Sequence, residues 1–225
     1  MGKRALERRL SAVADFADPQ VELEQYATPA DLAAHLVHLA DVHHDVAGRT
    51  VLDLGTGTGM LAIGAATRSP RRVVGLDRDG TAIEQARENE SHVAPETPIE
   101  WVVGDATRAP LCRKNLRAKS VDSAESTELT ESASSVTVLM NPPFGAQTGN
   151  QHADRAFLET TSAIADVSYS IHNEGSLDFV EAFAEDAAAD VTHAFRAELP
   201  LSRQFEFQRE ERKVIDVEVF RIEWR

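Results

Sequence analysis

The order of apolar and polar positions divides the chain into short apolar runs and amphipathic stretches. Thr50-Val51-Leu52-Asp53-Leu54 is apolar, too short for a helix and stopped by glycine, which predicts a buried strand. Similar runs at 72–76, 99–103 and 136–140 end at Asp77, Gly104-Asp105 and Asn141. A helical period over 4–16 rests on Ala5, Leu6, Leu10, Val13 and Ala14, and Asp18-Pro19 breaks it. A second helix starts near Thr28-Pro29, with Thr28 as its cap and Pro29 in its first turn, and runs through Leu32, Leu36, Leu39 and Ala40. Helices follow at 61–67, 81–90, 153–165 and 176–188, and strands at 167–171, 191–199 and 214–224.

Strands alternating with helices predict an α/β fold, a mostly parallel seven-stranded sheet with helices on both faces. The last two strands have no helix between them and are expected to pair antiparallel at one edge. The chain reads as a single domain over 1–225. One stretch stands apart: 113–135 is polar, basic at Arg113, Lys114, Arg117 and Lys119, then acidic at Asp122, Glu125, Glu128 and Glu131. It lacks the apolar residues to offset its ordering entropy and predicts a mobile insertion between two core strands.

Composition narrows the setting. The 225 residues suffice for a substantial core. A lone cysteine, Cys112, excludes an internal disulfide and a cysteine-built zinc site, pointing to a reducing compartment. No apolar run of signal-peptide or membrane-span type is present, so a cytoplasmic protein is expected. The net charge of −14 is unlike that of a generic nucleic-acid binder, and lysine is confined to Lys3, Lys114, Lys119 and Lys213. We read this as adaptation to a salty cytoplasm, where self-repulsion is screened over short distances; an ordinary acidic cytosolic enzyme is the alternative.

The chemistry lies at the strand ends. Asp53-Leu54-Gly55-Thr56-Gly57-Thr58-Gly59 places a glycine-rich turn between a strand and a helix, where backbone can approach a ligand closely. Asp77 stands where a carboxylate can accept both hydroxyls of a ribose, and Asp105 where it can accept from an adenine amine. Either acid alone can be a helix cap or turn residue, but successive strand ends form a crevice at the carboxyl edge of the sheet. The glycines are spaced two apart and no basic residue stands ready for a pyrophosphate, so S-adenosylmethionine is favoured over a dinucleotide.

The fourth strand delivers Asn141-Pro142-Pro143-Phe144 to the same edge. An exocyclic amine is a poor nucleophile because its lone pair is delocalised into the ring. The Asn141 side-chain oxygen and the Pro142 carbonyl can each accept one of its hydrogens, freeing the lone pair for attack on a sulfonium methyl. Phe144 can stack on the ring, and Pro143 offers no competing N–H. A rigid turn is the plain alternative. A base within a duplex cannot reach such a site, so the target is single-stranded or flipped out.

With these residues in hand, the chain resembles the methyltransferase-like protein 5 family, adenine N6-methyltransferases of small-subunit ribosomal RNA, in an archaeal version. The resemblance is carried by Leu23-Glu24-Gln25-Tyr26 with Thr28, the glycine loop, Asp77, Asp105, Asn141 to Gly145 and Ala156-Phe157-Leu158. It continues through Tyr169-Ser170-Ile171-His172, Glu198-Leu199-Pro200 and Val217-Glu218-Val219. It implies a class I S-adenosylmethionine-dependent fold, Gln25 and Thr28 closing over the cofactor, and a pocket that takes in Tyr26, Met60, Arg78 and Ala106. It also implies a partner, a zinc-ribbon activator of the tRNA methyltransferase subunit 112 type, pairing with the edge strand near 99–103. Two departures stand out: the 113–135 segment is longer than the family's connection, and Ala146 stands where a threonine is usual.

RNA contacts are expected from Arg196, Arg203, Arg209, Arg212 and Lys213 around Phe205 and Phe207, and from Lys3, Arg4, Arg8 and Arg9. Solvated arginines on a hairpin are the plain reading. His43-His44 lacks further ligands nearby and is read as a helix end, and no metal site is expected. His172 is either functional or a core residue. A release-factor glutamine methyltransferase can use the same tetrapeptide on an amide, but generally carries tyrosine in place of Phe144. A DNA adenine methyltransferase would need a target-recognition domain, and a non-catalytic assembly factor would not need the intact tetrapeptide.

Overall fold

The computed structural model describes residues 1–109, 111, 116, 135–145, 153–202 and 212–225. The insertion expected at 113–135 lies outside them apart from Leu116 and Ser135, as does Ala146.

Seven strands form one sheet: β1 Thr50–Leu54, β2 Arg72–Asp77, β3 Ile99–Val103, β4 Val136–Met140, β5 Val167–Asn173, β6 Asp190–Ser202 and β7 Arg212–Glu223. Their order is β3-β2-β1-β4-β5-β7-β6. The first five run parallel, while β7 lies antiparallel between β5 and β6, the expected closing pair. Every residue of β1 and β4 is buried, which places the apolar runs at the centre of the sheet. Six α-helices of seven residues or more accompany it among the described residues: α1 Lys3–Leu10, α2 Ala30–Val42, α3 Met60–Ala66, α4 Gly80–Val93, α5 Ala153–Ile164 and α6 Leu177–Asp186. One sheet face packs α1, α2 and α3 around Leu36, Ile63 and Tyr169. The other packs α5 and α6 around Leu158, Val180 and Phe220.

Two expectations need correction, and both concern the approach to the site. The first helix stops at Leu10 and does not reach residue 16. Past it, Ala14 exchanges hydrogen bonds with the Asn89 amide on α4, donating to Oδ1 and accepting from Nδ2, each at 2.9 Å. A side chain on a distant helix thus takes the bonds that another helical turn would have made. Thr28 does not cap the second helix: Pro29 holds that position and no side chain caps it. The Thr28 hydroxyl is directed elsewhere, as described below.

At the opposite end of the sheet from the site, Asp45 ties three elements together. It is 1% exposed, and its Oδ2 accepts from the Tyr169 hydroxyl at 2.7 Å and from Arg221 Nε at 2.9 Å. Arg49 pairs with its other oxygen at 3.0 Å. Burial beside this carboxylate pushes the Tyr169 hydroxyl far above its ordinary range.

Candidate active site

The carboxyl ends of β1, β2, β3 and β4 open into a cavity of about 300 Å³. Its floor is the turn after β1. Gly55 and Gly57 have φ of +69° and +52°, backbone that side chains seldom adopt. A Cβ on Gly55 would also stand 3.1 Å from the Phe157 ring, and one on Gly57 2.8 Å from the Phe16 ring. These glycines therefore turn the chain and make room for two aromatic walls drawn from opposite ends of the sequence.

Acids line the ends of the strands. Asp53 Oδ2 accepts from Thr56 Oγ1 at 2.6 Å and from the Ala62 amide at 2.9 Å, which joins β1 to the start of α3. Burial pushes its carboxyl up to about 7 despite these donors, and nearby Asp77 adds to the rise. Asp77 accepts from the amides of Gly57 at 2.8 Å and Asp79 at 2.9 Å, and burial raises its carboxyl too. The cap of α4 is Asp79, whose Oδ1 accepts from the Thr81 amide at 2.9 Å. Asp77 is thus spared the capping role and turns to the cavity wall. Asp105 is both turn residue and wall: it accepts from the Thr107 amide and hydroxyl at 2.9 and 2.7 Å, and these bonds hold its carboxyl below the usual range.

The roof is the segment between α1 and α2. Phe16, Leu23, Glu24, Gln25, Tyr26, Ala27 and Thr28 face the cavity. Gln25 fastens this segment to the body: its Oε1 accepts from the Gln20 amide at 2.7 Å and its Nε2 donates to Asp79 Oδ2 at 2.7 Å. Burial lifts the Tyr26 hydroxyl above its ordinary value, with Glu24 adding to the effect.

At the far wall β4 presents the tetrapeptide. Asn141 and Pro143 line the cavity, and Pro142 and Phe144 flank them without joining its lining. Asn141 Nδ2 donates to Thr28 Oγ1 at 3.0 Å, and Asn141 Oδ1 is buried with no hydrogen-bond partner among the described residues. The Phe144 carbonyl accepts from Asn173 Nδ2 at 3.0 Å, so the last residue of β5 pins the loop. The Phe144 ring packs on the core cluster of the α1–α3 face.

Of the expected cofactor residues, Gln25, Tyr26, Thr28, Asp53, Gly55, Thr56, Gly57, Thr58, Met60, Asp77, Arg78, Asp105, Ala106 and Asn141 all meet at this cavity. Gly59 does not line it and serves as the cap of α3. Phe16, Thr107, Ala153 and Phe157 were not foreseen, because their place depends on chain approaching from elsewhere. The lining suits S-adenosylmethionine. Four carboxylates suit a cofactor that carries a sulfonium and an ammonium, Arg78 is the sole basic side chain in the lining, and the orphaned Asn141 oxygen belongs to a residue of the same lining.

The expected RNA contacts fare differently. Arg196 lies between Glu174 at 3.8 Å and Glu218 at 3.6 Å on the surface. Arg203, Phe205, Phe207 and Arg209 fall outside the described residues, as do the side chains of Arg212 and Lys213. Arg9 is structural, since it donates to the Ala94 carbonyl at 2.6 Å and pairs with Glu96 at 2.9 Å, closing the end of α4. His43 ends α2 with its ring edge on His193, and His172 is 2% exposed, T-shaped on Phe220. Burial depresses His172 to about 4.

Comparison with known proteins separates the two halves of this site. A family model for ribosomal protein L11 methyltransferase matches residues 36–107, the cofactor half. The Drosophila melanogaster rRNA N(6)-adenosine-methyltransferase Mettl5 is 30% identical over 98% of this chain and 95% of its own. The chain belongs to the METTL5 family. An uncharacterised protein of Methanocaldococcus jannaschii is 33% identical over 98% of this chain and 94% of its own. A solved structure from Pyrococcus horikoshii, whose proposed activity is that of an RNA methyltransferase, superposes with a TM-score of 0.82 at 31% identity, covering 100% of this chain and 98% of that one. This METTL5-family chain is an S-adenosylmethionine-dependent methyltransferase of the class I fold.

Proposed function

We propose that the protein transfers the methyl group of S-adenosylmethionine to the N6 amine of an adenosine in small-subunit ribosomal RNA. The observation that carries this reading is the buried, unpartnered Oδ1 of Asn141 at the end of β4, beside the rigid Pro142-Pro143 carbonyls. The family names borne by relatives that align over nearly the whole chain support the RNA substrate. The L11 methyltransferase match supports no protein substrate, since it ends at residue 107, before the tetrapeptide.

When bound, the cofactor supplies an electrophilic methyl and a neutral thioether leaving group. Asn141 Oδ1 and the Pro142 carbonyl accept the two amine hydrogens, which turns the nitrogen lone pair out of the ring. The lone pair forms the C–N bond as the S–C bond breaks, and the resulting ammonium loses its proton to water. The chain's contribution is largely positioning. The base reaches the cavity only from single-stranded or flipped RNA.

Recognition of the RNA falls to residues outside the cavity, with Arg203, Phe205, Arg209, Arg212 and Lys213 as candidates. A zinc-ribbon activator is the proposed partner, pairing along β3. That strand is an edge of the sheet, and Val103 on it is 59% exposed. The scarcity of lysine and the charge of −14 fit work at high salt in a cytoplasm.

The test is transfer from labelled S-adenosylmethionine at high salt, with the zinc-ribbon partner present and with ribosomal RNA and a release factor as separate acceptors. Label in N6-methyladenosine, falling at least roughly 100-fold in Asn141→Ala, is the expected result. Label on the release factor alone would replace this reading with a glutamine methyltransferase.

A further inference from the structure

A carboxamide in this position has a problem of orientation. Its oxygen and nitrogen are alike in size, and only one of the two rotamers offers an acceptor to an amine. The reversed rotamer would aim Nδ2 at the substrate and place two donors face to face. Some group must therefore hold Nδ2, and a hydroxyl does so when its own hydrogen is directed away from the amide.

We propose that Thr28 does this, as a positioning residue that fixes the Asn141 amide with its oxygen toward the acceptor amine. Thr28 is 6% exposed, its Oγ1 stands 3.0 Å from Asn141 Nδ2, and it lines the same cavity. It is free for this because Pro29, not Thr28, occupies the cap of α2. The result is the asymmetry seen at Asn141, in which the nitrogen is satisfied and the buried oxygen is not. An unsatisfied buried acceptor costs stability unless a ligand supplies the donor, so the strain is stored for the substrate.

The placement of Thr28 in the chain adds a consequence. It lies 113 residues from Asn141 in sequence, on the roof segment that Gln25 fastens to Asp79. When that segment lifts, Nδ2 loses its acceptor and the amide can turn. Closure over the cofactor and correct presentation of the oxygen are thus one event, and an open site is a poor acceptor of amines. This inference rests on the reading of an amine acceptor at Asn141, but not on which RNA carries it.

The test pairs Thr28→Val, which keeps the shape and removes the oxygen, with Thr28→Ser, which restores it. Two ligands separate positioning from simple cofactor contact. S-adenosylhomocysteine leaves the acceptor place empty, whereas sinefungin, in which a carbon bearing an amine replaces the methylsulfonium, sets an amine toward it. Titration calorimetry of the whole protein should show the preference for sinefungin over S-adenosylhomocysteine falling at least about fivefold in Thr28→Val and in Asn141→Ala, and returning in Thr28→Ser. In methyl transfer, Thr28→Val should lower kcat tenfold or more, with a smaller change in the KM for cofactor. An unchanged sinefungin preference in Thr28→Val would overturn the inference. So would a loss of both ligands in equal proportion, which would make Thr28 a cofactor contact and nothing more. If the wild-type protein binds both ligands but leaves ribosomal RNA unlabelled, the proposed substrate fails, while the ligand ratio still decides the role of Thr28.

Discussion

Replacing Asp53 with asparagine isolates the cost of a buried carboxylate at the base of the cofactor site. Asp53 is 1% exposed, and burial raises its carboxyl from 3.8 to about 7. In the folded protein it therefore keeps its proton between about pH 4 and 7, while in the unfolded chain it has lost it. The folded state binds more protons in that window, so stability falls as pH rises through it and levels off above about 7. The whole shift corresponds to roughly 4 kcal/mol at ~1.4 kcal/mol per unit, and the part between pH 5 and 7 to roughly 3 kcal/mol. Asparagine has no charge to bury. The advantage of Asp53→Asn over wild type should therefore grow by about 3 kcal/mol between pH 5 and 8, seen as a Tm difference widening by roughly 6–12 °C. Calorimetric scans of the two proteins without cofactor, in one buffer series at constant salt, would measure it. Saturating S-adenosylmethionine should reverse the order, because a cationic ligand stabilises the ionised carboxylate and the variant has none. Parallel Tm curves from pH 5 to 8 would refute the reasoning and mean that water or local opening relieves Asp53.

Three further outcomes follow from other contacts. Asp45→Ala removes the buried carboxylate that Tyr169 and Arg221 share and should cost about 3–5 kcal/mol in denaturant unfolding; a loss under about 1 kcal/mol would show that the cluster is relaxed by solvent or by the other acceptors of Arg221. Asp77→Asn puts an amide opposite the Gly57 or Asp79 N–H and should weaken S-adenosylhomocysteine binding at least tenfold by calorimetry, while affinity within about threefold of wild type would remove Asp77 from the cofactor set. Gly75→Ala places a methyl group against the Trp101 ring, whose Nε1 donates to Glu90 Oε2 at 2.6 Å, and should shift tryptophan emission to the red and weaken any partner that docks along β3.

Much of this arrangement was legible because it depends on local pattern. Each of the five parallel strands stands within two residues of its expected ends, since a buried strand in a parallel sheet has no polar face to blur it, whereas β6 runs three residues past its expected end. Asp77, Asp105 and Asn141 were found by the same logic: they follow the last apolar residue of a strand, which is where the sheet opens, and Asp53 stands one residue before that point in β1. What could not be read is whatever two distant segments decide together. The polar side chain of Thr28 beside a helix start has the signature of a cap, and only the approach of β4 shows that the hydroxyl is used across the cavity. The end of α1 is set by Asn89, 75 residues from Ala14. Phe16 carries no motif of its own, and Phe157 belongs to a matching segment to which no place in the site was attached. The smallness of Gly57 and Gly55 was read as a need of the turn, and is equally a need of those two rings. Arg9 was one of a cluster of basic residues, and the carbonyls at the end of α4 give it another purpose.

The strand order explains why the cofactor was easier to name than the acceptor. From β1 the chain moves outward to β2 and β3, then returns across the sheet to β4, and the crevice opens where the direction reverses. The outward half supplies the glycine turn, Asp77 and Asp105, which any enzyme of this fold needs for the same ligand. That is why a family model built on a protein methyltransferase matches residues 36–107 and stops. The returning half supplies Asn141 and, through Asn173, the support for Phe144, the residues to which the proposed function gives the acceptor. Substrate identity must be argued from that half, whatever the first half resembles. The roof segment belongs to neither: Gln25 binds it to Asp79 on the cofactor side, and Thr28 to Asn141 on the acceptor side. A substitution in the outward half should therefore alter cofactor affinity for every acceptor alike, and one at Asn141 should alter transfer with cofactor affinity nearly intact. Only changes in residues 20–28 should move both together, and that pattern, measured across the three regions, distinguishes a coupled site from two independent ones.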